Sequence, residues 1–284
     1  MSGLAWLVPW EFSPAFLVVF AATVFLYLRG ARRRPRGFWR QLAFWSGLAL
    51  LYAALQTQWD YYAEREFFVH RLQHVVLHHL APFLIMLAAP GPAIRTGLPL
   101  RWRAFLRKCV APNPLVRLSL NVLLNPGVAG FLFVGIIYLW LWPPLHFVAM
   151  LDWRLYRVMN WSVTIDGLLF WWLVLDRRSK PPARLAPGTR IFLSLIVALP
   201  QIVLGAYITF TRRDLFPIYD LCGRAFPWIT TMRSQRIGGL ILWIPGGMMS
   251  VLGALVAIRN WTSLSSRGRL APPGRVRAQR LRSV

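Results

Sequence analysis

The sequence predicts an all-α protein, an integral membrane bundle of about seven transmembrane helices. Hydrophobic residues make up 57% of the 284-residue chain, and its mean hydropathy is +0.48. The interior of a soluble domain is too small to bury that fraction. The 15 tryptophans and 18 phenylalanines suit aromatic belts at two membrane–water interfaces. Apolar runs near the ~20 residues that cross a bilayer recur along the chain, and the predicted spans are 13–29, 41–57, 67–90, 120–142, 158–175, 191–210 and 237–258.

Basic residues between these spans predict the orientation of the chain. The net charge is +24, and 24 of the 33 Lys and Arg residues lie in four alternate segments: 29–40, 91–117, 176–190 and the tail from Arg259. Because basic loops stay in the cytoplasm, we expect the N-terminus outside and the C-terminus inside. The expected domains are a transmembrane domain, 1–258, and a basic, disordered cytoplasmic tail, 259–284, that contacts anionic lipids. No basic stripe lies on a soluble module, so nucleic-acid binding is not expected.

The third predicted span contains four of the five histidines, His70, His74, His78 and His79. Ionisable side chains at membrane depth are costly and usually mark a functional site. Residues four apart turn by about 400° on an ideal helix, so the first three histidines form one stripe near the outer end. His79 points about 100° away from His78 and is expected to lie apart. Pro82 has no N–H to donate to the carbonyl of His78, so that acceptor is free.

The stripe predicts a metal site formed by His70, His74 and His78. Imidazole binds copper, zinc and iron, and two histidines four apart on one helix face recur in metal sites. The alternative interpretation, which stays open, is that these histidines form hydrogen bonds between helices. Asp166 likewise is either a proton or metal partner, or a hydrogen-bond acceptor for a neighbouring helix or an arginine. The possible additional ligands are His146, Asp166 and Met159. Met159 offers a thioether, which suits Cu(I).

Four stretches resemble a known family. The third span, VHRLQHVVLHHLAPFLIMLAAPGP, resembles the H-x3-H and A-P-x-L-x3-A-P signature of the multi-span cytochrome c oxidase assembly factor family called CtaG, of the caa3-oxidase type. Three later stretches are similar to its fifth, sixth and last helices: GLLFWW (Gly167–Trp172), ALPQIVLGAYITF (Ala198–Phe210) and RSQRIGGLILWIPGGMM (Arg233–Met249).

Two positions differ from the family pattern. The family often has a second H-x3-H pair before GLLFWW, where this chain has Tyr156 and Asn160, and Arg233 replaces an acidic residue. If the second pair completes a metal site in the relatives, that site is altered here.

The resemblance implies a non-enzymatic, multi-pass protein of the bacterial inner membrane that assists the biogenesis of a haem–copper cytochrome c oxidase. It implies oxidase subunits and copper chaperones as partners, and transient copper binding on the periplasmic side during copper delivery. Two other hypotheses stay open. One is a membrane transporter for a metal ion or small solute that uses the same histidines with Asp166. The other is a scaffold that binds oxidase subunits without a metal.

Overall fold

The computed structural model describes residues 12–270, which form helices and no β-strand. The prediction of an all-α protein is therefore confirmed. Two π-helical turns, Val76–Leu80 and Leu106–Val110, interrupt the α-helices. The α-helices are α1 (Pro14–Arg33), α2 (Phe38–Gln56), α3 (Gln58–Arg65), α4 (Phe67–Val75), α5 (Ala81–Leu87), α6 (Gly91–Gly97), α7 (Leu100–Phe105), α8 (Pro114–Leu123), α9 (Pro126–Leu141), α10 (Pro143–Leu151), α11 (Trp153–Val174), α12 (Pro187–Ile196), α13 (Ala198–Phe210), α14 (Ile218–Leu221) and α15 (Thr231–Ser266).

Several helical stretches have the length and hydropathy of membrane spans. Three of them qualify in the described part of the chain: α1, α12 together with α13, and α15. The number rises to five if two bent helix pairs each count as one span. In the first pair, the helix through α4 and α5 meets α6 at 71°, and in the second, α8 meets α9 at 70°. The chain is thus a membrane protein with three to five spans by these criteria. Helices α2 and α11, with 19 and 22 residues, are not among them.

The segment from α4 through its π turn to α5 is the central helix of the bundle. Helices α2 and α11 pack against its second half, whereas α3 and α15 pack against α4. Its apolar residues Leu77 and Ala81 are fully buried, as expected for a helix that is surrounded by other helices. We call this segment, Phe67–Leu87, the histidine helix.

Glycines allow α13 and α15 to cross closely. A Cβ atom on Gly205 would lie 2.9 Å from the carbonyl oxygen of Gly239, and one on Gly239 would lie 2.8 Å from the carbonyl oxygen of Gly205. Side chains do not fit at such distances, so small residues are required at this crossing.

One end of the bundle, which we call the cap end, consists of α3, α10, α14 and the connection 211–230. Gln235 of α15 anchors this connection. Its Oε1 accepts a hydrogen bond from the backbone N–H of Leu215 at 2.8 Å, and its Nε2 donates to the carbonyl of Arg213 at 3.0 Å. The connection is therefore folded onto the bundle.

The opposite end contains α6, α7, α8 and the loop between α11 and α12. Arg190 is buried there and donates hydrogen bonds to the backbone carbonyls of that loop at Asp176, Arg178 and Leu185. The last helix ends at Ser266 rather than at residue 258, so the start of the predicted tail is helical. Residues 271–284 of that tail lie outside the described residues.

Candidate functional site

The histidine helix changes from α to π geometry at Val76–Leu80. The N–H of Ala81 donates to the carbonyl of Val76, which is the i to i−5 bond of a π turn. Such a turn holds one extra residue, so side chains beyond it are rotated relative to a continuous α-helix. Pro82 follows at once, and its missing N–H leaves the carbonyl of His78 without the usual helical donor.

Helix α11 provides three contacts to His78. Trp171 donates its indole N–H to the His78 carbonyl at 3.3 Å, which supplies a donor to the acceptor that Pro82 leaves free. Oδ2 of Asp166 lies 3.0 Å from Nε2 of His78. A Cβ atom on Gly167 would lie 3.0 Å from the carbonyl carbon of His78 and closer still to its oxygen. Asp166 thus faces the bundle interior and forms a hydrogen bond with a histidine of a neighbouring helix. This matches its interpretation as an acceptor between helices.

Replacing Trp171 with Phe is expected to lower the free energy of unfolding by about 2 kcal/mol or more, because the carbonyl of His78 loses a buried donor and the smaller ring leaves a cavity at a fully buried position. Trp172→Phe is the matched control, since its side chain is 38% exposed and the change of size is the same. Unfolding midpoints of both variants in one detergent measure the difference. Equal midpoints would contradict the assigned hydrogen bond.

His79 also faces the bundle interior, and it bonds to Gln201 of α13 whereas His78 bonds to Asp166 of α11, so the two side chains have separate partners. The two ring centroids are 4.8 Å apart, and both rings pack against Phe133. Nε2 of His79 lies 2.9 Å from Oε1 of Gln201, whose Nε2 donates to the carbonyl of Val197. Gln201 therefore accepts and His79 donates.

His146, a possible metal ligand by sequence, uses both ring nitrogens in hydrogen bonds. Nδ1 lies 2.9 Å from the carbonyl oxygen of Trp140, so it donates, and Nε2 then accepts from the hydroxyl of Tyr219 at 3.0 Å. Burial raises the pKa of Tyr219, which keeps its hydroxyl protonated. Burial, together with nearby Arg71, lowers the pKa of His146 to about 3, so the ring is neutral. This arrangement leaves no ring nitrogen for a metal.

His70 and His74 form an adjacent pair with unpartnered nitrogens. Both residues are buried. Neither ring nitrogen of His70 meets the geometry of a hydrogen bond, although the backbone of Ala63 lies near this ring, and Nε2 of His74 has no partner either. The ring centroids are 4.3 Å apart, and the ring of His146 lies 5.2 Å from that of His70. Leaving a buried polar group unpaired costs about 1–3 kcal/mol. These nitrogens are therefore available to a ligand.

The positions where the family pattern has a second histidine pair face the first pair. The ring of Tyr156 lies 6.0 Å from that of His70, and Asn160 lies beside His74. The hydroxyl of Tyr156 donates to Oδ1 of Asp60 at 2.7 Å, which fixes it as a buried structural donor. This chain thus has one histidine pair opposite a phenol and a carboxamide.

The remaining candidate, Met159, is fully buried in an apolar cluster with Leu77 and Val163. Within residues 12–270, no group of three or more His, Cys, Asp or Glu side chains is arranged to hold a metal ion. Of the predicted triad, His70 and His74 adjoin, whereas His78 is bonded to Asp166. Metal binding by these residues stays a prediction.

Two charged residues of the site were not singled out from the sequence. Arg71, only 2% exposed, follows His70 on the histidine helix. Glu66 is fully buried before that helix, and its carboxylate accepts hydrogen bonds from Arg224, the backbone of Phe226 and the hydroxyl of Ser234, each at 3.1 Å. Glu66 thereby fastens the connection 211–230 to the cap end. A charge within or beside an apolar run was the available signal for both.

Comparison with protein families gives one result that covers most of the chain. Residues 23–263 match the model of the family described as cytochrome c oxidase caa3 assembly factor (Caa3_CtaG). The match includes the histidine helix, α11 and nearly all of α15. No curated protein and no solved structure matches the chain. The extent of the family match shows that the chain belongs to the cytochrome c oxidase caa3 assembly factors.

Proposed function

We propose that this protein holds Cu(I) transiently at His70 and His74 and assists its delivery to a haem–copper oxidase. The observation that carries the proposal is the adjacent, buried imidazole pair whose unpartnered nitrogens are available to a ligand. Imidazole is a good copper ligand, and the family assembles an oxidase. Copper is therefore cargo here, on its way to another protein.

The charge beside the pair favours a monovalent ion. Arg71 is buried next to His70, and a guanidinium is permanently protonated. Coulomb repulsion is proportional to the charge of the incoming ion, so Cu(II) is opposed about twice as strongly as Cu(I). The pair has no third His, Cys, Asp or Glu ligand within residues 12–270, and few ligands favour release over permanent binding.

The proposed topology has seven spans in the bacterial inner membrane, with the N-terminus outside and the C-terminus in the cytoplasm. The three to five spans found by length and hydropathy are supplemented by α2 and α11, which pack against the histidine helix. The alternating basic segments support the orientation. The cap end and His70 then lie toward the periplasm.

The proposed role is not catalytic. Assembly requires contact with oxidase subunits within the membrane, and copper reaches the periplasmic side from chaperones. Lipids cover the exposed apolar side chains of the outer helices, such as Val18 and Val203, because apolar side chains suit the hydrocarbon core of a bilayer.

Metal analysis of anaerobically purified protein tests the proposal. We expect the wild type to bind Cu(I), and the variant His70→Ala with His74→Ala to lose more affinity than the roughly 10–100-fold that loss of an outer-shell partner causes. His79→Asn is the matched control, because His79 bonds to Gln201 outside the pair. It should retain copper.

Oxidase activity in cells separates the proposed function from a scaffold. If the double histidine variant supports normal oxidase activity and the wild type binds no copper, the copper mechanism is wrong. Co-purification with oxidase subunits by the variant would then favour the scaffold.

A further inference from the structure

Arg71 is a buried cation that has no ion-pair partner among the described residues, 12–270. Its side chain is 2% exposed, and no carboxylate of residues 12–270 forms an ion pair with it. Its Nε and Nη2 have no hydrogen-bond partner. An uncompensated charge at membrane depth is costly, and arginine does not lose its proton. Some group must therefore compensate this charge.

A small cavity lies where this compensation is needed. It has a volume of about 20 Å³ and is lined by Arg71, His74, His78 and His79 together with the apolar side chains of Ile137, Val163 and Leu242. A cavity needs about 10–15 Å³ to hold a water molecule. The space therefore accepts water and excludes phosphate or a carboxylic acid.

The residues that line the cavity carry unpartnered nitrogens, and these match the hydrogen-bonding capacity of water. His78 and His79 place Nε2 against acceptors, Asp166 and Gln201, so their Nδ1 atoms carry lone pairs, and neither Nδ1 has a partner. Water donates two hydrogen bonds and accepts two, and these imidazoles are acceptors whereas Arg71 supplies donors.

We infer that an ordered water in this cavity links Arg71 to His78, so that Asp166 is the counter-charge of Arg71. The carboxylate accepts Nε2–H of His78, the water donates to Nδ1 of the same ring, and the guanidinium donates to the water. Asp166 therefore compensates the positive charge of Arg71 through the imidazole ring of His78 and one water molecule.

A double-mutant cycle with Arg71→Met and Asp166→Asn tests the inference. Asn keeps an acceptor for His78 and removes only the charge. Each single variant leaves the opposite charge uncompensated, so each lowers the thermal midpoint. The double variant removes both charges, and its midpoint should exceed the value given by adding the single shifts by about 2 °C or more. Additive shifts would overturn the inference.

Two further arms identify the link. Adding His78→Phe, which removes the nitrogens but keeps an aromatic ring, should abolish the coupling; coupling that persists would overturn the relay. Arg224→Met is the matched control, because Arg224 pairs with Glu66 at the cap end and should be additive with Asp166→Asn.

An external anion is the competing explanation. Midpoints measured in chloride and in gluconate at equal ionic strength should agree for the wild type. A midpoint that rises with chloride in the wild type but not in Arg71→Met would show that a halide compensates Arg71, and would overturn the assignment of Asp166.

Discussion

Replacing Gly167 with Ala is expected to lower the free energy of unfolding by about 3 kcal/mol, the upper part of the usual range for overpacking. The added methyl group would lie 3.0 Å from the carbonyl carbon of His78 and overlap its oxygen. Both are backbone atoms, so no side-chain rotation relieves the contact. Helix α11 must then move away from the histidine helix. That movement also stretches the hydrogen bonds from Trp171 and to Asp166.

Gly135→Ala is the matched control for this prediction. Gly135 also lies inside a helix, but the nearest atom to a Cβ there is 3.9 Å away, on the ring of Phe131. Alanine is a better helix former than glycine by about 1 kcal/mol, so Gly135→Ala should be neutral or stabilising. Thermal unfolding in one detergent compares the two variants. If Gly167→Ala unfolds at or above the midpoint of Gly135→Ala, the close contact between α11 and His78 is wrong.

The sequence is sufficient to locate the histidine helix and one of its unusual features. Pro82 implied a free carbonyl at His78, because the lack of an N–H is a property of the residue itself. The donor that reaches this carbonyl, Trp171, lies 93 residues away, and its identity depends on how α11 packs. The same limit applies to Asp166, whose burial was predictable from its span but whose partner was not.

The features of the site that the sequence does not reveal depend on local helix geometry and on long-range contacts. A π turn leaves little trace in the sequence, so an ideal α-helix is the only frame that the sequence offers for the histidine stripe. Both nitrogens of His146 are used by hydrogen bonds, one of them to a residue 73 positions away. The role of Glu66 is not visible in the sequence, because its partner Arg224 is 158 residues away. Such pairings follow from tertiary structure, so spacing along the chain does not reveal them.

Replacing Glu66 with Ala is expected to destabilise the cap end by about 3 kcal/mol, the lower part of the range for breaking a buried ion pair. The carboxylate is fully buried and accepts hydrogen bonds from Arg224, the backbone of Phe226 and Ser234. Its loss releases the connection 211–230, whose Tyr219 ring lies 6.4 Å from that of His70. Amide hydrogen exchange in this connection should accelerate by about 100-fold, because a 1.4 kcal/mol change in opening free energy is tenfold.

Asp220→Ala separates burial from charge in this comparison. Asp220 pairs with the same Arg224 at 3.2 Å, but its side chain is 49% exposed, and exposed ion pairs contribute little. Exchange in Asp220→Ala should therefore change much less than in Glu66→Ala. The exchange of α11 amides should be the same in both variants, since neither residue contacts that helix in the hydrogen bonds described. If the connection exchanges equally in wild type and Glu66→Ala, Glu66 does not fasten the cap. If it opens, a route to His70 opens with it, and Cu(I) uptake by Glu66→Ala should be faster than by Asp220→Ala.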